Sequence, residues 1–140
     1  MKNRQYLDHL AKVDIFQALT KKELGLLGKL AETIDIDSGY PLVREGTTGR
    51  EFFVIAEGKA AVKRGSRKIA TLGPGDFFGE LALLDGHPRN ATVVAETPMT
   101  VVVLGQREFL GALHDAPTLA MKLLKGMARR LREADSHTPN

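Results

Sequence analysis

The chain contains no cysteine. Disulfides, thiolate catalysis and sulfur-ligated zinc or iron–sulfur centres are therefore excluded, and the composition suits a reducing compartment. No apolar run approaches the ~20 residues of a membrane-spanning helix. The N-terminus, Met1 to Gln5, leads into Tyr6, Asp8 and His9 instead of an apolar signal core. The expected location is the cytoplasm. The histidines His9, His87, His114 and His137 stand apart from one another, without the close His/acid spacing of a metal site. No Ser-His-acid set is implied, so neither an enzyme nor a cofactor is expected. Interleaved basic and aromatic residues and a recognition helix are also missing, which argues against direct nucleic-acid binding. There is no internal repeat and no low-complexity tract.

What is there is enough for one folded domain: 140 residues, 43% hydrophobic and 26% charged. The formal charge of +3 favours anionic partners in general without choosing among them. The basic residues are scattered, with Lys21 and Lys22, then Lys63, Arg64, Arg67 and Lys68, then Lys125, Arg129, Arg130 and Arg132.

The first third, residues 1–32, reads as helical. Leu7, Leu10 and Ile15-Phe16 give a short apolar face, and Thr20-Lys21-Lys22-Glu23 has the spacing of an N-cap and capping box. Leu24, Leu27, Leu30, Ala31 and Ile34 recur at helical intervals, so a helix is expected over about Lys21 to Glu32. From Thr33 the pattern alternates, and Gly39, Gly46, Gly49, Gly58, Gly65, Gly73 and Gly75 separate short apolar runs, as turns between strands require. Strands are expected at Phe52 to Ile55, at Lys59 to Lys63 as its hairpin partner, at Lys68 to Leu72, at Thr92 to Ala95 and at Thr100 to Leu104. Short strands with frequent turns imply a sandwich or closed roll over residues 33–105. Helical spacing returns over residues 106–134, broken near Pro117, which suits the first turn of a helix. Residues 135–140 read as a loose tail.

The chemically informative stretch is Gly73 to Thr92. Pro74-Gly75-Asp76 forms a turn that leads to Phe78-Gly79-Glu80, a short Leu81-Ala82-Leu83-Leu84 run, and then Pro88-Arg89-Asn90-Ala91. The apolar run allows about one helical turn before Gly86 and Pro88 stop it. A helix start exposes backbone N–H groups that favour an anion. Gly79 permits close approach, and Arg89 offers the paired donors that fit phosphate oxygens. Glu80 would be repulsive to phosphate but can accept hydrogen bonds from sugar hydroxyls. The stretch reads as a cradle for a phosphate and a ribose together.

These residues resemble the phosphate-binding cassette of the cyclic nucleotide-binding domain family, whose pattern is Phe-Gly-Glu-Leu-Ala-Leu, a short gap, Pro-Arg, a small residue and Ala. The resemblance extends upstream through Glu45-Gly46, Gly49, Phe53-Val54-Ile55, Gly58, Val62 and Pro74-Gly75-Asp76, and covers roughly residues 10 to 132. It implies a mainly β fold, an eight-stranded jelly-roll barrel (a double-stranded β-helix) flanked by N- and C-terminal α-helices. It also implies that Arg89 pairs with the cyclic phosphate and Glu80 accepts from the ribose 2′-hydroxyl. The backbone N–H groups of Leu81, Ala82 and Ala91 would complete the phosphate shell, with Gly79 setting the approach. Asn90 departs from the commoner Ala, Ser or Thr; a hydroxyl there is associated in the family with phosphate or guanine contact, and the amide has a donor and an acceptor for either.

Many relatives cover the base with a side chain from the last helix, which here has no aromatic residue after Phe109. Arg129, Arg130 or Arg132 could stack on the base, or Leu131 could cover it; Arg130 is the first choice, against a solvated helix face. Ala120, Leu124, Met127 and Leu131 follow four-, three- and four-residue steps. This seam could support a weak homodimer or pack on the barrel.

The expected function is a cyclic nucleotide sensor or regulatory domain that binds cAMP, and less surely cGMP, and shifts its C-terminal helices to signal to a protein partner or attached effector. The alternative is a ligand-free protein-interaction module on a degenerate form of the fold. Only a short tail follows the last helix, so a two-domain transcription regulator is not expected unless the chain is a fragment. A standalone sensor and the regulatory domain of a larger receptor stay open.

Overall fold

A computed structural model describes residues 8, 10–12, 16–79 and 88–136, without the side chains of residues 127, 130 and 133–136. Helix α1 spans Lys21–Leu30. Its capping box is complete: Thr20 Oγ1 accepts from the Glu23 N–H, and Glu23 Oε1 accepts from the Thr20 N–H at 2.8 Å. The helix ends two residues earlier than its apolar spacing predicts. Ala31 is extended, and Glu32 already belongs to the first strand.

The described residues then form eight strands: β1 Glu32–Ile36, β2 Pro41–Val43, β3 Glu51–Glu57, β4 Ala60–Arg64, β5 Arg67–Leu72, β6 Phe77–Phe78, β7 Thr92–Ala95 and β8 Met99–Gly105. They make two four-stranded antiparallel sheets, ordered β1-β8-β3-β6 and β2-β7-β4-β5. The jelly-roll architecture is as the sequence implied, with its eight described strands divided between two sheets. The short strands β2 and β6 were not anticipated, because two or three residues cannot display an alternation.

One pairing differs from expectation. β4 is not the hairpin partner of β3; it lies in the other sheet, between β7 and β5. Both edges of β3 are occupied, with Phe53 opposite Val103 of β8 on one side and opposite Phe78 of β6 on the other. The chain must therefore change sheets between β3 and β4, near Gly58.

β3 is buried from Phe52 through Ala56, and its side chains alternate between two compartments. Phe53 and Ile55 point between the sheets, where they meet Val43, Ala60, Val93, Ala95, Met99 and Val101. Phe52, Val54 and Ala56 point to the other face and pack with Leu10, Phe16, Leu24 and Leu27. β8 divides in the same way, with Met99 and Val101 inward and Val102 and Leu104 toward the helices. Near-continuous apolar runs in both strands follow from burial on both faces.

Helix α2 spans Gln106–Asp115 and α3 spans Pro117–Ser136. Pro117 is the first residue of α3, where its missing N–H leaves no helical bond unmade. α3 runs two residues beyond the expected helical segment, through Ser136. Phe109, Ala112, Leu119 and Leu123 seat both helices on the outer face of β3 and β8. Lys122 Nζ of α3 also donates to Glu23 Oε1 at 2.7 Å, which links α3 to the capping box of α1.

Candidate ligand-binding site

The site is organised around Arg89. Its backbone is fixed by the loop between β2 and β3: the Arg89 N–H donates to the Thr47 carbonyl, and the Gly46 N–H donates to the Arg89 carbonyl, both at 2.8 Å. Thr48 and Pro88 form an isolated antiparallel bridge alongside. The approach to β6 is equally defined. Asp76 Oδ2 accepts from the Gly73 N–H at 2.7 Å, and the Asp76 carbonyl accepts from the Ile55 N–H at 2.9 Å. The Pro74-Gly75-Asp76 turn thus ties β6 and Gly79 to β3.

The guanidinium meets two groups of β3. Its Nη2 donates to the Glu51 carbonyl at 2.7 Å. Its Cζ lies 5.9 Å from the centroid of the Phe53 ring, within cation–π range. Phe53 in turn stacks on Phe78, with centroids 4.8 Å apart and planes inclined by 11°. Two glycines leave room for this arrangement. A Cβ at Gly49 would stand 2.6 Å from Arg89 Cζ, and one at Gly79 would meet Arg89 Nη1 and come within 2.8 Å of the Glu51 carbonyl oxygen. Gly79 also has φ +82°, a conformation that L side chains rarely adopt.

Arg89 is half-buried. Burial pushes its pKa below the ordinary arginine value, against the opposing pull of the Glu51 charge. A guanidinium stays protonated in proteins, so the site holds a partly desolvated cation whose fork is already oriented. One of its amino groups is engaged with a backbone carbonyl, and the remaining donors can meet an anion. Beside it opens a groove of about 220 Å³ lined by Arg44, Thr47, Thr48, Glu51 and Arg89. A larger hollow of about 380 Å³ is walled by Ile34, Ile36, Leu42, Phe53 and Val103 together with Tyr40 and the acidic Asp35 and Asp37, and the two cavities share Leu42 and Glu51. A recess carrying two arginines therefore adjoins one of mixed apolar and acidic lining, so an anionic end of a ligand belongs on the Arg89 side.

Of the site residues expected from sequence, Gly79 and Arg89 are in contact range, with Asn90 and Ala91 following directly. Ala91 is buried and Asn90 is exposed. The Asn90 carbonyl accepts from Arg64 Nε at 3.3 Å. Glu80, Leu81 and Ala82 lie outside the described residues, as does the helical turn expected over Leu81 to Leu84. The side chain of Arg130, the expected base contact, also lies outside them. Arg129 Nη2 donates to Gln17 Oε1 at 3.4 Å, on the N-terminal segment. On α3, Leu119 and Leu123 are buried, whereas Leu124 and Leu131 of the seam are 60% and 66% exposed.

Sequence reasoning missed the platform made by Phe53 and Phe78 and the carbonyl of Glu51. It also placed Gly49 among the turn glycines. Gly49 has no positive φ; its role is to admit the arginine side chain. Among the described residues no group of three or more acidic or histidine side chains could hold a metal, and no helix is long and apolar enough to cross a membrane.

Comparison with known proteins agrees with this geometry. The sequence profile of the cyclic nucleotide-binding domain matches residues 34–116. The cAMP-dependent protein kinase regulatory subunit of Hypocrea atroviridis is 35% identical over 108 residues, which are 77% of this chain and 23% of that protein. The chain thus spans about a quarter of that relative's length. Among solved structures, the N-terminal domain of a transcriptional regulator from Streptomyces coelicolor A3(2) superposes with a TM-score of 0.86 at 32% identity, covering 92% of this chain and 94% of that one. The regulatory domain of Toxoplasma gondii PKA, crystallised with cAMP, gives a TM-score of 0.71 at 26% identity over 94% of this chain and 50% of that one. With its jelly-roll sheets and the arginine held between two glycines, this chain belongs to the cyclic nucleotide-binding domain family.

Proposed function

We propose that this domain binds cAMP and couples occupancy to its C-terminal helices, as a non-catalytic sensor for a protein partner or an attached effector. The observation that carries the reading is the Arg89 guanidinium, positioned by the Glu51 carbonyl and the Phe53 ring between Gly49 and Gly79. Arg89 takes the cyclic phosphate, assisted by the backbone N–H groups of Leu81, Ala82 and Ala91, and Gly79 keeps the approach open. Glu80 accepts from the ribose 2′-hydroxyl. Asn90 faces the phosphate or the base, and Arg130 covers the base. The choice of cAMP draws on the curated kinase regulatory relative and on the cAMP-bound Toxoplasma gondii structure. A cysteine-free chain fits the cytoplasm.

Coupling to the helices has a physical route, because β3 carries Phe53 under the arginine and Phe52 against the helix-side core. The ligand stabilises one arrangement of the cassette, and the helices follow by a population shift whose size is set by differential affinity. The exposed Leu124 and Leu131 favour a second element of the reading: α3 pairs with a second copy of the chain to form a weak homodimer.

Calorimetric titration of nucleotide-free protein with cAMP and cGMP in parallel tests the proposal, with Arg89→Ala as control. Saturable cAMP binding that the control loses supports it, and a preference for cGMP would reassign the base. No heat with either nucleotide, on folded protein and in a second binding assay, would move the reading to a ligand-free interaction module. Discrimination against 2′-deoxy-cAMP that survives Glu80→Ala would remove Glu80 from the ribose role.

A further inference from the structure

The backbone of Arg89 is held by the loop between β2 and β3, and that loop must itself be held. The carbonyl of Thr47 and the N–H of Gly46, which bond the Arg89 backbone, belong to an exposed connection between β2 and β3. Such a segment frays unless something fixes it. Glu45 fixes it in two directions. Its N–H donates to Thr92 Oγ1 of β7 at 2.9 Å, and its Oε1 accepts from the N–H of Gly65, in the β4–β5 turn, at 2.9 Å. Arg64, the last residue of β4 next to that turn, reaches the Arg89 segment again: its Nε donates to the Asn90 carbonyl at 3.3 Å. Three separate segments, at residues 45–47, 64–65 and 89–92, are closed into one ring of hydrogen bonds around the backbone of Arg89.

We infer that Glu45 is a positioning residue for the phosphate-binding arginine: it locks the β2–β3 loop to β7 and to the β4–β5 turn, so that the backbone groups anchoring Arg89 are held before ligand arrives. The inference rests on the reading of Arg89 as the anion contact, and it adds a residue that does not line the groove beside Arg89. An acidic side chain near an anion site is a liability by charge alone. Glu45 instead directs its carboxylate to a backbone N–H, and a neutral acceptor of the same shape does that equally well.

Substitution separates position from charge. Glu45→Ala loses the acceptor, Glu45→Gln keeps an amide oxygen for the Gly65 N–H while dropping the charge, and Thr92→Val removes the other bond while leaving Glu45 in place. Two measurements apply to the full chain: amide hydrogen exchange at Arg89 and Gly46 by NMR, without ligand, and the Kd for cAMP by calorimetry. Faster exchange at both amides is expected in Glu45→Ala and Thr92→Val, with affinity about fivefold weaker, the scale of one lost hydrogen bond, and recovery of both in Glu45→Gln. Lys68→Ala, which breaks the pair between Lys68 of β5 and Glu96 beyond β7, should change neither. Wild-type exchange at Arg89 and Gly46 in both Glu45→Ala and Thr92→Val would overturn the inference, as would Glu45→Gln behaving like Glu45→Ala. If the wild type binds no cyclic nucleotide, the ligand reading fails while the exchange data still decide the role of Glu45.

Discussion

The Arg89 side chain lies over the face of Phe53 and donates to the carbonyl of Glu51, so one side chain engages an aromatic ring and a backbone acceptor on the same strand. Lysine cannot reproduce this, because a point ammonium lacks the planar fork that stacks and bonds at once. Arg89→Lys should fold with nearly wild-type stability, since the residue is only half-buried, yet bind cAMP at least tenfold more weakly. Thermal denaturation and calorimetry on the same preparation check both halves. Retained affinity would show that charge alone suffices.

The two glycines beside Arg89 should respond differently to alanine. At Gly49 the new methyl would stand 2.6 Å from Arg89 Cζ and 2.8 Å from its Cδ, so the arginine side chain must leave its position. Gly49→Ala is expected to cost less stability than Gly79→Ala, because φ at Gly49 is ordinary and what must move is a side chain, while weakening cAMP binding. At Gly79 the methyl meets the Glu51 carbonyl and the backbone must keep φ +82°, a left-handed conformation costing roughly 1–2 kcal/mol for an L residue. Gly79→Ala should lose both stability and binding. Equal stability losses in the two variants would contradict the geometry.

Stability should also report the link between α1 and α3. The Lys122 ammonium, then the Thr20 N–H, hold the Glu23 carboxyl below its ordinary pKa. A depressed carboxylate pKa means that the unfolded chain binds more protons in the acid range. The contribution of Glu23 is thus fully present above the unfolded value of about 4.3 and is lost as pH falls through the lower, folded value. Urea denaturation between pH 3 and 7 should show wild-type stability falling with acid more steeply than that of Glu23→Gln. Parallel curves would remove Glu23 from the acid response.

The exposed leucines of α3 predict an oligomeric state. Sedimentation equilibrium should show a concentration-dependent dimer, and Leu124→Glu with Leu131→Glu should abolish it without loss of helix content. A wild-type protein that stays monomeric at high micromolar concentration would exclude the pairing.

Much of this was legible because the signals are local. The Thr20–Glu23 capping box, Pro117 at a helix start and the apolar runs of β3 and β8 each depend on neighbours within a few residues. The cassette motif likewise pointed to Gly79 and Arg89 through two short strings a few residues apart. What escaped depends on contacts distant along the chain. Lys59 to Lys63 reads as a hairpin partner for β3 because nothing nearby reveals that β8 and β6 already hold both edges. Gly49 reads as one more turn glycine because the side chain it admits comes from Arg89. Phe53 and Phe78 look like ordinary core residues until their stack is seen beneath a cation.

The division of β3 and β8 between two compartments limits what the C-terminal helices can do. With Phe52, Val54, Val102 and Leu104 under their cover, lifting the helices away would wet an apolar sheet face at about 25 cal/mol for each Å² exposed. A response to ligand that costs only a few kcal/mol must keep that face dry. The favoured motion is therefore a slide or rotation of the helices along the sheet, with one set of apolar contacts traded for another.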